Sequence, residues 1–202
     1  MSKKNTIRRQ ATALFARQGF RETSTAEICR LSGVAGATLF YHFSSKEELL
    51  LAILKGIKEA ILQNFQRDTL ARQGKTGLEQ IQEIITHYLR LAAEMEDEFL
   101  LLQRHFPYQL AEHNPVCRRH LAEIYTCLVD IFEDAILHGQ KDGSIGPLSA
   151  HKTALILFSA VDGLIRFNTY KLYDAGALYQ ELLTCCSRIL QPNPEPPPAH
   201  DP

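Results

Sequence analysis

Residues Leu14–Leu50 read LFARQGFRETSTAEICRLSGVAGATLFYHFSSKEELL, and this stretch decides the fold. Ser24-Thr25-Ala26-Glu27 is a capping box: a hydroxyl accepts from the third backbone N–H while the glutamate reaches back. It predicts a helix from there to about Leu31, which Ser32-Gly33 breaks. A second short helix is expected from Val34 to about Tyr41. Ser45-Lys46-Glu47-Glu48 is another capping box, opening a long helix at Leu49. Two short helices joined by a tight glycine-containing turn make a helix-turn-helix, whose second helix can enter a major groove. Ile28, Val34 and Leu39 are expected inside the pair, leaving Thr38, Tyr41 and His42 outward.

Working outward, helical periodicity continues on both sides. Ile7, Ala11, Leu14 and Phe15 form an amphipathic stripe that Gly19 ends. Leu50, Ile53, Leu54, Ile57, Ile61 and Phe65 repeat it, as do Leu78, Ile81, Ile85, Tyr88, Ala92 and Met95. A short apolar block, Phe99 to Leu102, is closed by Phe106-Pro107. Asn114 caps and Pro115 opens the next helix, which carries Leu121, Ile124, Leu128, Ile131 and Ala135 to a stop at His138-Gly139. Gln140 to Leu148 reads as a loop, Ser149 as the cap of a helix to about Tyr173, and the last helix as Ala175 to Leu190. No period-two alternation is sustained, so the expected fold is all-α. The expected division is a three-helix helix-turn-helix domain at 3–63, a helical domain at 64–191, and a disordered tail at 192–202. Six of the eleven tail residues are proline.

The helix around residues 150–167 is apolar on nearly every side, and such a helix is buried on more than one face. One face can pack on its own domain and the other on a second copy. A homodimer is therefore expected through Leu157, Val161 and Leu164, with Leu178, Leu182 and Cys186 of the final helix.

The chain holds 22 Lys+Arg against 23 Asp+Glu, a net charge of −1 that by itself argues against a polyanion-binding surface. The distribution reverses that reading. Residues 1–46 carry +6 and the rest −7, so the N-terminal segment alone has the profile of a nucleic-acid binder. Five cysteines without a CxxC pair, no apolar leader and no long apolar run point to a cytoplasmic protein that does not span a membrane.

The Leu14–Leu50 run resembles the DNA-binding domain of the tetracycline-repressor (TetR) family of transcriptional regulators. The resemblance rests on Gly19-Phe20, Thr23-Ser24, Ile28, Gly33-Val34, the run Thr38-Leu39-Phe40-Tyr41-His42-Phe43, and Ser45-Lys46-Glu47-Glu48. It implies double-stranded DNA, a palindromic operator, as partner. Ser24 and Thr25, at a helix N-terminus, would meet a phosphate. Tyr41, His42 and Lys46 match phosphate-holding positions, and Thr38 one that reaches phosphate or base; Lys3, Lys4 and Arg8 could add phosphate contacts. Where the family commonly places a basic residue, this chain has Ala35-Gly36-Ala37. Bidentate arginine-to-guanine readout is therefore not expected from this helix. Specificity would rest on Thr38, on close backbone approach at Gly36 and Ala37, and on DNA shape.

The resemblance also implies a small-molecule effector pocket among the later helices, which by position would involve His87, Tyr88, His105, Phe106, Tyr125 and Arg166. The surrounding stripes suggest a hydrophobic effector, and the expected role is a repressor released by it. The alternative is a protein partner on the acidic face of Glu94, Glu96, Asp97 and Glu98. No cofactor or metal is expected: His113, Cys117 and His120 have suitable spacing, but Pro115 leaves His113 outside the helix. Nor does any nucleophile elbow, HExxH or glycine-rich phosphate loop suggest an enzyme.

Overall fold

The computed structural model describes residues 2–67, 74–174 and 176–191. The expected proline-rich tail at 192–202 lies outside them. Among the described residues there are ten helices and no strand: α1 (Lys3–Arg17), α2 (Thr25–Ser32), α3 (Gly36–His42), α4 (Lys46–Arg67), α5 (Gly77–Glu94), α6 (Glu96–Leu102), α7 (His105–His113), α8 (Pro115–Asp142), α9 (Ala150–Thr169) and α10 (Tyr179–Leu190). The chain divides into two compact units. One comprises Met1–Thr69 with Leu89–Cys127, the other Leu70–Tyr88 with Leu128–Pro202. The units cut across the expected 3–63 and 64–191 division, because α6 packs with α1.

In the first unit, α1 buries Ile7, Ala11 and Phe15, and α4 answers with Leu49, Leu50, Ile53, Leu54 and Ile57. The short helices contribute one fully buried apolar side chain each, Ile28 from α2 and Leu39 from α3. The start of α3 differs from the expectation at Val34. Gly33 takes the left-handed conformation (φ 64°) that lets α2 end, and Val34 and Ala35 form the turn. Phe106-Pro107 does not close the preceding apolar block but lies in the first turn of α7, where proline's missing N–H costs no helical bond. Phe106 stacks on Phe20, with ring centroids 3.9 Å apart.

The second unit shows why α8 runs past the expected stop. Gly139 stays helical and lies against the start of α5: a β-carbon on Gly77 would sit 2.1 Å from the Gly139 backbone nitrogen. Gly77, lacking a β-carbon, allows the helices this approach, while Gly139 makes room for the Ile145 side chain. The junction is tied by Asp142, whose carboxylate accepts from the Gly77 N–H (2.8 Å) and the Ser144 N–H (2.8 Å). At the far end α9 stops at Thr169, and Lys171 turns the chain with φ 53°. No helix among the described residues is long and apolar enough to cross a membrane.

Candidate nucleic-acid interface

The helix-turn-helix is held by its caps. Ser24 Oγ accepts from the Glu27 N–H (3.1 Å), and Ser45 Oγ from the Glu48 N–H (3.0 Å). The reciprocal arms go elsewhere than a capping box dictates. Glu27 accepts from the Gln18 side-chain amide (2.8 Å), tying α2 to the end of α1. Glu48 accepts from the backbone N–H (2.6 Å) and hydroxyl (2.5 Å) of Ser44, which hold its carboxyl below the usual range. The α3 N-cap, Ala35, offers no side-chain acceptor, so that helix depends on Leu39 and the turn.

What α3 turns outward is small at its start and aromatic at its end. Gly36 and Ala37 are exposed, and a β-carbon on Gly36 would meet nothing within 4 Å. Thr38 and His42 are half-buried, while Tyr41 is 84% exposed, its ring edge-on to His42 at 5.1 Å. Phe40, 52% exposed beside Tyr41, is an outward residue that the sequence did not mark. An aromatic inside a run of aromatics carries no signal of which one turns outward; Phe43, three residues on, is in the core. Ser24 is exposed and Thr25 half-buried at the N-terminus of α2, where unpaired N–H groups and the helix dipole favour an anion.

Lys46 is placed differently from a free phosphate ligand. Its ammonium donates to the carbonyls of Phe20 (2.7 Å) and Thr23 (2.8 Å) and lies 4.4 Å from the centroid of the Phe20 ring. Burial lowers its pKa, offset in part by Glu22. It thus ties the first turn of α4 to the α1–α2 connection. Arg104 makes a matching clamp at the end of α1, donating to Ala16 O (2.6 Å) and Arg17 O (2.8 Å), while Arg17 pairs with Asp97 at 2.8 Å. Arginine near a helix C-terminus satisfies carbonyls that lack helical partners. Lone cations distant in sequence gave no signal of either clamp. With Asp97 so occupied, and Glu94 3.9 Å from Arg90, the acidic run is partly used within its own unit.

The six residues expected around an effector fall into two sets. In the first unit, Phe106 is stacked on Phe20, and the Tyr125 hydroxyl bonds that of Tyr108, which also donates to Leu102 O (2.8 Å); His105 is exposed. In the second unit, His87 and Tyr88 are buried and Arg166 is exposed. The Tyr88 hydroxyl donates to Asp162 Oδ1 (3.2 Å), and its ring lies 5.9 Å from that of Phe158. Burial pushes the Asp162 carboxyl above its usual range, against Tyr88 and Arg166, which lower it. Phe158, Asp162 and Arg166 follow one another at i, i+4, i+8 along α9, a spacing that could have marked this polar spot in an apolar helix.

Of the expected interface residues, Leu157, Val161, Leu182 and Cys186 face the chain's own core, with Leu157 and Val161 fully buried. A second copy cannot touch those two. Leu164 is half-buried and Leu178 exposed. The apolar side chains that α9 leaves outward are instead Leu155, Ile156 and Phe167. A helix apolar all round does not reveal its own phase, and packing against the rest of the unit set it. Burial also raises the Cys186 thiol to about 11, so it is protonated and inert at neutral pH.

A two-helix unit with a left-handed glycine turn, presented at the basic end of an all-helical chain, defines a DNA-binding protein of the helix-turn-helix class. Residues 7–53 match the model of the bacterial regulatory proteins, tetR family. The chain is 26% identical over 162 residues to the HTH-type transcriptional regulator RutR of Escherichia coli (strain K12), covering 79% of this chain and 72% of that one. It is 22% identical over 177 residues to the fatty acid metabolism regulator protein of Bacillus subtilis (strain 168), covering 86% and 88%. The fold is similar to that of the transcriptional regulator FadR from Bacillus subtilis in complex with stearoyl-CoA, with a TM-score of 0.76, 19% identity, and coverage of 93% and 99%. The head of this chain, residues 7–53, is thus a domain of the tetR family of bacterial regulatory proteins.

Proposed function

We propose that this protein is a cytoplasmic, dimeric repressor that binds a palindromic operator through its N-terminal head and is released by a small apolar effector. The observation that carries the DNA reading is the outward face of α3 and the N-terminus of α2 on a segment of charge +6. Ser24, Thr25, Tyr41 and His42 hold phosphates, and Lys46 shapes the head while lending it charge. Gly36, Ala37 and Thr38 approach the bases. With no long donor at the start of α3, discrimination comes from close contact and from the cost of deforming the DNA.

Dimerisation is supported by the apolar side chains that α9 and α10 leave outward, among them Ile156 (59% exposed), Leu155, Phe167, Leu178 and Ile189. The effector reading draws support from the similarity to a regulator solved with stearoyl-CoA. Tyr88, Phe158 and Asp162 are the anchor we assign it in the second unit. Functionally, residues 3–63 are the DNA-binding domain and 64–191 the effector and dimerisation domain.

Selection of binding sites from a random duplex pool with the purified chain tests this reading. The expected product is an inverted repeat with half-sites one helical turn, or a multiple, apart. Enrichment of an isolated half-site refutes the dimeric operator. Stearoyl-CoA and free fatty acids are the first effector probes, expected to release the selected DNA. If polar metabolites release it and these do not, the effector is not apolar.

A further inference from the structure

The first unit holds a second candidate site, built in part from Arg8, which the family resemblance offered as a further phosphate contact. Between α1, α4 and the start of α6 lies a cavity of about 280 Å³. That is just under the roughly 300–1,000 Å³ typical of drug-sized ligands, so its occupant is metabolite-sized. Arg8 and Arg9 line one wall, Ile53, Gly56 and Ile57 another, and Met95 and Glu98 a third.

Two features mark this cavity as polar and unfinished. The guanidinium of Arg8 lies across Gly56, where a β-carbon would sit 1.5 Å from Nη2 and 2.8 Å from Cζ. Any larger residue there would push the guanidinium from this place. The Arg8 Nε is sealed from solvent and donates to no acceptor, a rare state for a buried polar atom. Across the cavity, Glu98 is half-buried, and among the described residues no cation pairs with it. Burial moves its carboxyl above the usual range. A guanidinium and a carboxyl thus share one cavity without bonding each other, over a floor made by the buried side chains of Ile53 and Ile57.

We propose that this cavity binds a free amino acid with an apolar side chain. Its carboxylate meets Arg8 and Arg9, its ammonium meets Glu98, and its side chain lies on Ile53, Ile57 and Met95. A carboxylate matches the planar guanidinium fork, and one zwitterion answers both charges that line the cavity. Because α1 belongs to the DNA-binding head, the ligand biases the head by its differential affinity for the head's conformations.

Calorimetric titration of the full chain tests the proposal, with L-leucine as probe and L-leucinamide and N-acetyl-L-leucine as controls lacking one charge each. Saturable binding of L-leucine is expected, with each derivative roughly tenfold or more weaker. Arg8→Gln should erase the preference over L-leucinamide, and Glu98→Gln that over N-acetyl-L-leucine. Comparison of the intact chain's three titrations stands even where a variant folds poorly. No saturable binding of L-leucine, isoleucine, valine or methionine overturns the proposal. So does equal binding of the derivatives, or unaltered selectivity in both folded variants.

Discussion

Lys46→Met separates two roles that one cation can play. The substitution keeps an unbranched stem near Phe20 but removes the donors to Phe20 O and Thr23 O, at 2.7 and 2.8 Å. Hydrogen bonds from a charged donor contribute about 1.5–3 kcal/mol each, and a cation over a ring about 0.5–1. Holding a lysine side chain costs about 1.5–2 kcal/mol of rotamer entropy, and Lys46 is only half-buried, so the lower ends apply. The net destabilisation is about 2 kcal/mol, which for a chain of this size lowers the thermal midpoint by about 4–8 °C. Urea denaturation followed by circular dichroism measures the stability change. Fluorescence anisotropy of the selected operator across a salt series measures the electrostatic one, because the salt slope falls by about 0.9 for each phosphate no longer neutralised. If Lys46 is a clamp, the variant is less stable, binds every sequence more weakly, and changes the slope by less than 0.9. If Lys46→Met leaves stability unchanged while the slope falls by about 0.9, Lys46 is a phosphate ligand and the clamp is incidental.

Leu39→Ala empties the one fully buried apolar position of α3 and should cost about 2–5 kcal/mol, abolishing operator binding before the chain unfolds; native-state hydrogen exchange in residues 36–42 would reveal it. Gly77→Ala drives a β-carbon to within 2.1 Å of the Gly139 nitrogen and should destabilise by about 1–3 kcal/mol, despite alanine's better helix propensity. An unchanged urea midpoint would show that the crossing can open freely. Asp142 is held below its ordinary value of 3.8 by hydrogen bonds from Ser144 and, less strongly, from Gly77. Its stabilisation is therefore fully present above pH 3.8 and lost as the pH falls through the lower, folded-state value. Asp142→Asn should lower stability at neutral pH and flatten that acid limb in midpoint-against-pH measurements.

The local signals in the chain were strong where a single residue type answers a single backbone need. Ser24, Ser45 and Asn114 mark helix starts because each supplies an acceptor for free N–H groups, and all three do so. Gly33 marks the turn because its φ of 64° suits a residue without a β-carbon. Helical period and cap chemistry together made the all-α class and the helix-turn-helix legible, and with them the DNA-facing character of residues 24–42. Where Gly139 is expected to end α8, local chemistry misleads: the helix runs on to Asp142, and glycine there makes room for Ile145.

Tertiary packing decided what no local pattern encodes. The phase of α9 was undetermined because nearly all its positions are apolar; packing against the rest of its unit turned Leu157 and Val161 inward and Leu155 and Ile156 outward. The same holds for Lys46 and Arg104. A cation's type specifies its charge, but its partners here are carbonyls 23 to 88 residues away along the chain. Sequence determined which elements form and which end carries the positive charge, because those depend on neighbours within a turn or two. Which side chain meets which depended on distant segments competing for the same space, and that was settled only when they packed.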